Sequence, residues 1–327
     1  MLTFEFRHAA SVADAIDAGA AGARYFAGGT NLLDLMKTGV ESPPALIDIG
    51  RIGLDTIEPT AGGGVLIGAG VSNSAVANHR LIRSRYPVLS QAILSGATTQ
   101  IRNMATSGGN LMQRTRCPYF MDPAFGQCNK RDPGSGCAAL GGFNREHALF
   151  GGGDRCVAVH PSDMAVALTI LDAAVHVRGA AGARVIPIAD FYTDALPDRD
   201  NTLAPGELIT GIELPPTPFA ENSWYLKVRD RHSYAFALVS VAAGVVLADG
   251  VITSAALALG GVAAKPWRVT DAEEALVGRP PGEVAFRRAA ALVMAGAAPL
   301  SQNGFKVDLG RHSVVRALQR ACGMNPE

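Results

Sequence analysis

At Gly28-Gly29 an extended stretch, Arg24-Tyr25-Phe26-Ala27, gives way to the helical spacing of Leu32, Leu33, Leu35 and Met36. The glycines reach backbone angles that side chains resist, and Thr30 and Asn31 are residues that cap helices. A strand, a tight turn and a helix in that order present a row of backbone N–H groups, which suits a phosphate. A chain that opens in this way has to mix α and β elements.

The rest of the sequence continues the alternation in three zones, which makes the fold class α+β. Residues 1–53 hold a helix at Ser11 to Ala18, the strand and glycine turn, a second helix and the strand "ALIDIG", a βαβ-like lobe. Residues 54–215 hold strands "LDTIEP" and "GVLIGAG", helices near Ser74 to Asn78 and Pro87 to Ser95, and later "DMAVALTILDA", "AVHVRG" and "ELITGIELP". A linker, Pro215-Pro216-Thr217-Pro218, closes this larger lobe. Residues 222–327 form a separate α+β domain: "SWYLKVRD", a long apolar run folded at the Asp249-Gly250 hairpin turn, and two Ala-rich helical stretches near Asp271 and Pro281.

Composition removes several function classes. The 327 residues carry no formal net charge and the arginines are scattered, so no basic footprint marks a nucleic acid or an anionic membrane as partner. The longest apolar run, Phe236 to Ala248, includes Ser240 and is too short to span a bilayer. Acidic residues interrupt the N-terminal segment "MLTFEFRHAASVADAID", and no export signal is expected there.

A second glycine element, "ATSGGNLMQ" from Ala105 to Gln113, echoes the first. Thr106, Ser107, Gly108, Gly109 and Asn110 combine hydroxyls and amides with an unobstructed backbone, which suits a pyrophosphate or ribose. Either loop alone is weak, because glycine pairs are more often ordinary turns. "GAGVSN" at Gly68 to Asn73 lacks the third glycine of a dinucleotide fingerprint and opens into no long βαβ unit, which disfavours a nicotinamide in a Rossmann fold.

Cys117, Cys128, Cys137 and Cys156 lie in one Gly- and Pro-rich segment, at spacings of ten, eight and eighteen intervening residues, and Cys322 stands apart. The spacings lack the CxxC knuckles of most zinc ribbons, and "CP" resembles the pairing common where a thiolate holds iron. Disulfides usually serve small exported domains, and this chain has ample core. Iron–sulfur is favoured over zinc, and zinc over two disulfides. Cys322, on the helix "VVRALQRACG", reads as a small apolar residue against a neighbour.

"AGGTNLL", "IRNMATSGGNL", "HPSDMAVALTILDA", "LAPGELITGIELP" and "YLKVRDRHSYAFALVSVAAGV" occur in this order over essentially the whole chain. The ordered set resembles the FAD-binding medium subunit of the xanthine dehydrogenase and carbon monoxide dehydrogenase family. In most of that family the "GGN" loop runs almost directly into the "SD" segment. Here a four-cysteine insertion, about residues 112–160, separates them, which is similar to the FAD subunit of the periplasmic molybdenum aldehyde oxidoreductases, where the insert carries a [4Fe–4S] cluster.

The resemblance implies a two-lobed FAD-binding fold of the PCMH or vanillyl-alcohol-oxidase type over residues 1–215, followed by a CO-dehydrogenase-flavoprotein-type domain. It implies that Phe26, Ala27, Gly28, Gly29, Thr30, Asn31, Leu32, Leu33 and Asp34 wrap the FAD pyrophosphate, with Thr106, Gly109 and Asn110 closing on it and Arg102 steadying the second loop. Asp163 would accept from the ribose or a backbone turn, with a helix N-cap as its plainer role. Leu203 would touch the adenine side. Lys227 would bring positive charge near the flavin, and without the family it reads as a solvated strand lysine. Cys117, Cys128, Cys137 and Cys156 would hold the cluster.

The implied partners are a molybdenum-cofactor large subunit and a small [2Fe–2S] subunit in a heterotrimer or a multimer of it, with no nucleic acid and no membrane insertion. Electrons would pass from [2Fe–2S] centres through FAD to an acceptor, a relay that needs no catalytic acid, base or nucleophile in this chain. The implied location is the periplasm, reached folded with a partner bearing a twin-arginine signal, with the cytoplasm as the alternative. Two other readings stand beside this one: a stand-alone FAD oxidoreductase of the same fold, and a zinc-stabilised scaffold.

Overall fold

The computed structural model describes residues 1–324, which form two compact units. The first comprises Met1–Val76, Thr98–Ser135 and Asp172–Pro216; the second comprises Ala77–Ala97, Gly136–Leu171 and the chain from Thr217 onward.

In the first unit, strands Glu5–His8 and Arg24–Phe26 flank Ala45–Asp48 in a parallel sheet, with Phe26 opposite Asp48. Helix Val12–Ala20 starts at Ser11, whose Oγ accepts from the Asp14 N–H at 3.1 Å, and its Ala15, Ile16 and Ala18 join Ile47 and Leu208 in a core. Helix Leu32–Thr38 ends at Gly39, where φ is +78°. A second, antiparallel sheet orders its strands as Ile57–Pro59, Val65–Gly68, Leu208–Leu214, Ala174–Gly179 and Gly182–Pro187. The expected strand "LDTIEP" pairs only over Ile57–Pro59; upstream, the Leu54 and Thr56 carbonyls accept from Gly70 and Gly68 instead, at 2.7 and 2.8 Å.

In the second unit, strands Ser223–Val228, Val239–Ala248, Val251–Gly260 and Trp267–Arg268 form an antiparallel sheet in sequence order. Asp249 and Gly250 turn the hairpin with φ of +50° and +77°, both positive as a tight hairpin turn requires. Helices Glu283–Val293 and Phe305–Ala321 supply Phe286, Val293, Val314 and Leu318 to the core over this sheet. Cys322 caps the last helix and packs against that core, and burial pushes its thiol up to about 11. Helix Asp163–Ile170 is apolar on nearly every side and buried along its whole length. Among the described residues no helix is long and apolar enough to cross a membrane.

Candidate functional site

The two glycine loops meet in the first unit. A Cβ on Gly28 would stand 1.9 Å from the Met104 carbonyl oxygen, so the loops touch backbone to backbone. Gly29 has φ of +69° and accepts at its carbonyl from Leu33 N–H at 3.1 Å. The amides of Thr30, Asn31 and Leu32 reach no backbone acceptor among the described residues. Asn31 occupies the N-cap position of helix Leu32–Thr38, yet neither it nor Thr30 caps the helix by side chain. Its Oδ1 instead accepts from the Arg114 N–H at 2.9 Å, and its buried Nδ2 has no hydrogen-bond partner among the described residues. Leu32 and Leu33 are half-buried, and Asp34 is exposed beside Arg116 at 3.5 Å.

The second loop is sewn to the end of strand Val65–Gly68. Gly108 N–H donates to the Ala69 carbonyl, Ser107 N–H and Oγ donate to the Val71 carbonyl, and Ser72 bridges to Thr106. "GAGVSN", which fails as a dinucleotide fingerprint, is thus the bed on which the second loop lies. Thr106 caps helix Ser107–Leu111 by accepting from Gly109 N–H at 3.2 Å. Asn110 Oδ1 accepts from Gln113, and Arg102 donates to Thr99 one turn back. Leu203 is half-buried, its N–H held by Asn201 Oδ1.

Sequence reasoning missed a charged cluster in the same unit. Arg114 donates from Nε to Asp200 at 2.8 Å, from Nη1 to Glu41 at 3.1 Å and from Nη2 to the Asp198 carbonyl at 3.4 Å, and lies over the Phe120 ring at 4.7 Å. Lys130 pairs with the other oxygen of Asp200, and Arg24 with the other oxygen of Glu41. The Asp200 carboxyl is held low: burial opposes this, and Lys130 and Arg114 outweigh it. The only hint in the sequence is that Arg114 follows the second loop directly.

Asp163 and Lys227 lie in the second unit. The N-cap of helix Asp163–Ile170 is Ser162, whose Oγ accepts from Ala165 N–H; Asp163 is the first helical residue, which corrects its reading as the cap. Asp163 Oδ1 accepts from the Tyr225 hydroxyl at 2.7 Å and Oδ2 from Lys227 Nζ at 2.8 Å. The Lys227 side chain is 3% exposed and also reaches the Ser95 carbonyl, so it is no solvated strand lysine. Tyr225 and Lys227 share one face of their strand, two residues apart. Burial first, and then Asp163, push the Tyr225 phenol well above its usual range.

None of the five cysteines is in a disulfide. In the first unit Cys117 and Cys128 join Leu35 and Phe120 in one small core; Cys137 and Cys156 belong to the second unit. Among the described residues no group of three or more His, Cys, Asp or Glu side chains is placed to hold a metal ion. The first loop, by contrast, fits a dinucleotide's diphosphate: its unmatched amides and the buried Asn31 Nδ2 are donors awaiting an acceptor.

Residues 2–217 match the family described as the FAD binding domain in molybdopterin dehydrogenase, and residues 224–322 match the CO dehydrogenase flavoprotein C-terminal domain. The chain is 50% identical over 303 residues to the aldehyde oxidoreductase FAD-binding subunit PaoB of Escherichia coli (strain K12), covering 92% of each. It is 26% identical to the carbon monoxide dehydrogenase medium chain of Afipia carboxidovorans, covering 98% of this chain and 96% of that one. Among solved structures it is similar to the reconstituted CO dehydrogenase of Oligotropha carboxidovorans, with a TM-score of 0.79 and 25% identity over 99% of this chain and 100% of that one.

Proposed function

The chain belongs to the FAD-binding medium subunits of the xanthine dehydrogenase and carbon monoxide dehydrogenase family, and from that premise we propose that it serves an aldehyde-oxidising member, holding FAD by residues 26–34 and by Thr106, Gly109 and Asn110. As a medium subunit it is the flavin-carrying part of a molybdenum hydroxylase, an oxidoreductase with a large molybdenum subunit and a small iron–sulfur subunit. Bound FAD supplies a site that takes up two electrons and hands them on. The chain's own residues bind and orient it.

The observation that carries the site is the first loop: free amides of Thr30, Asn31 and Leu32 beside the buried Asn31 Nδ2, on a turn locked against Met104. Donors with no backbone acceptor among the described residues suit a diphosphate, as in anion sites built on backbone amides. Asp163 and Lys227 form a buried ion pair within the second unit, balancing each other's charge. The test is titration of the flavin-stripped full-length chain with FAD, read by flavin fluorescence. Asn31→Ala is expected to weaken binding about tenfold, the worth of one hydrogen bond to a charged group. An unchanged affinity removes Asn31 from the site.

The 50% identity to the aldehyde oxidoreductase subunit supports aldehydes as the substrate class of the complex. Activity of the co-purified heterotrimer on aldehydes but not purines is the expected result. The iron–sulfur proposal for Cys117, Cys128, Cys137 and Cys156 rests on their run in the sequence, and matching iron and acid-labile sulfide in the purified chain is its test; zinc without flavin favours the scaffold reading instead. A periplasmic location rests on the resemblance to the exported subtype. Fractionation of co-expressed subunits, with the partner's twin arginines intact or replaced by lysine, decides between periplasm and cytoplasm.

A further inference from the structure

We infer that Arg114 is a positioning residue for the flavin, through which the cysteine-bearing segment sets the geometry of the first glycine loop. The inference rests on the FAD site proposed above. Arg114 lies three residues before Cys117 and grips both ends of helix Leu32–Thr38. At the start its backbone N–H holds the Asn31 carboxamide oxygen, which fixes the amide plane and so the direction of the unpartnered Nδ2. Beyond the helix end its guanidinium holds Glu41, whose own N–H returns to the Leu35 carbonyl at 3.2 Å.

The same guanidinium ties this helix to the rest of the unit. It bonds Asp200 and the Asp198 carbonyl and lies over Phe120, which packs with Leu35 of the helix and with Cys128. Three directions of hydrogen bonding from one rigid plane match the guanidinium fork, and an ammonium in its place reaches fewer of them. Without Arg114, Glu41 keeps only Arg24 and Asp200 keeps only Lys130 as side-chain partners among the described residues, so the two carboxylates are no longer joined. The helix is then free to shift along the segment, and a displacement of about 1 Å at a binding group is enough to cost a large part of its effect.

The test is a double-mutant cycle on FAD affinity in the flavin-stripped full-length chain, with Arg114→Met, Arg114→Lys, Asn31→Ala and Arg114→Met combined with Asn31→Ala. The backbone N–H survives in each Arg114 variant, so the cycle reads the guanidinium alone. Arg114→Met is expected to weaken FAD at least tenfold and Arg114→Lys by less. The double variant is expected to lose far less than the product of the single losses, because both act on one donor. Single losses that multiply, or Arg114→Met binding within twofold of a wild type that does bind FAD, overturn the inference. A purely structural role would lower the melting temperature without this coupling. Should Arg114→Met fail to fold, Arg114→Lys and Asp200→Asn complete the same cycle with Asn31→Ala. A wild type that takes up no FAD at all sinks the site proposal itself, a different outcome.

Discussion

Replacing Gly28 with alanine tests how the two loops are held together. The added Cβ would stand 1.9 Å from the Met104 oxygen, 2.6 Å from its carbonyl carbon and 3.2 Å from the Ala105 Cα. Ordinary contact begins near 3.4 Å, so the loops have to part by up to about 1.5 Å, and every obstructing atom is backbone. Overpacking of this kind costs about 1–3 kcal/mol, and with no side chain able to rotate away the cost belongs at the upper end, about 2–3 kcal/mol. At about 1.4 kcal/mol per decade, a strain that FAD binding must overcome weakens affinity about 30- to 150-fold. Gly109→Ala is the contrast: its Cβ meets only the Thr106 hydroxyl, at 3.0 Å, which can turn aside at the loss of a cap bond worth about 1 kcal/mol. Flavin titration and thermal melting of the stripped chain are read together. Gly28→Ala is expected to lower both affinity and melting temperature, and Gly109→Ala to lower affinity with a smaller fall in melting temperature, that of one lost cap bond. A Gly28→Ala chain that melts and binds FAD as the wild type does refutes the loop-on-loop reasoning.

Lys227→Met strands the Asp163 carboxylate among buried neighbours and is expected to destabilise the chain by about 3–5 kcal/mol in urea unfolding, with Asp163→Asn restoring part of the loss; full stability in the single variant removes the buried pair. Burial pushes the Lys306 ammonium, which donates to the Glu146, His147 and Gly261 carbonyls, down to about 7 from 10.5, with Glu146 opposing and Arg145 adding. Between those values the unfolded chain binds more protons than the folded one, so stability relative to Lys306→Met is expected to grow from pH 7 to pH 10, and a flat difference in urea midpoints counts against it. Cys128→Ser is expected to abolish the iron signal of the purified chain and Cys322→Ser to leave it intact; iron content unchanged in Cys128→Ser ends the proposed ligand set.

Several elements were legible because their causes are local. Pro87 at a first helical position starts a helix that runs to Ser95 as read, and Asp249-Gly250 turns the hairpin because both residues accept positive φ. The five ordered motifs carried the family, and with it the cofactor. Other readings failed where a partner distant in sequence supplied the decisive bond. Asn31 looks like a helix cap, yet its oxygen is taken by Arg114, 83 residues on. Lys227 looks like a surface residue of an amphipathic strand, yet Asp163, 64 residues back, makes its burial tolerable.

The sequence by itself determined the order of strands, turns and helices, the places where glycine is needed, and the kinship to a flavin subunit, because each rests on backbone preference or on residues read side by side. The tertiary structure decided which donors remain open and which are taken. It set "GAGVSN" beneath the second loop, left Asn31 Nδ2 buried without an acceptor and gathered Glu41, Arg114, Lys130 and Asp200 into one charged cluster. Those outcomes depend on where the chain returns to itself, and a buried charge or amide has no fixed partner until that return is made.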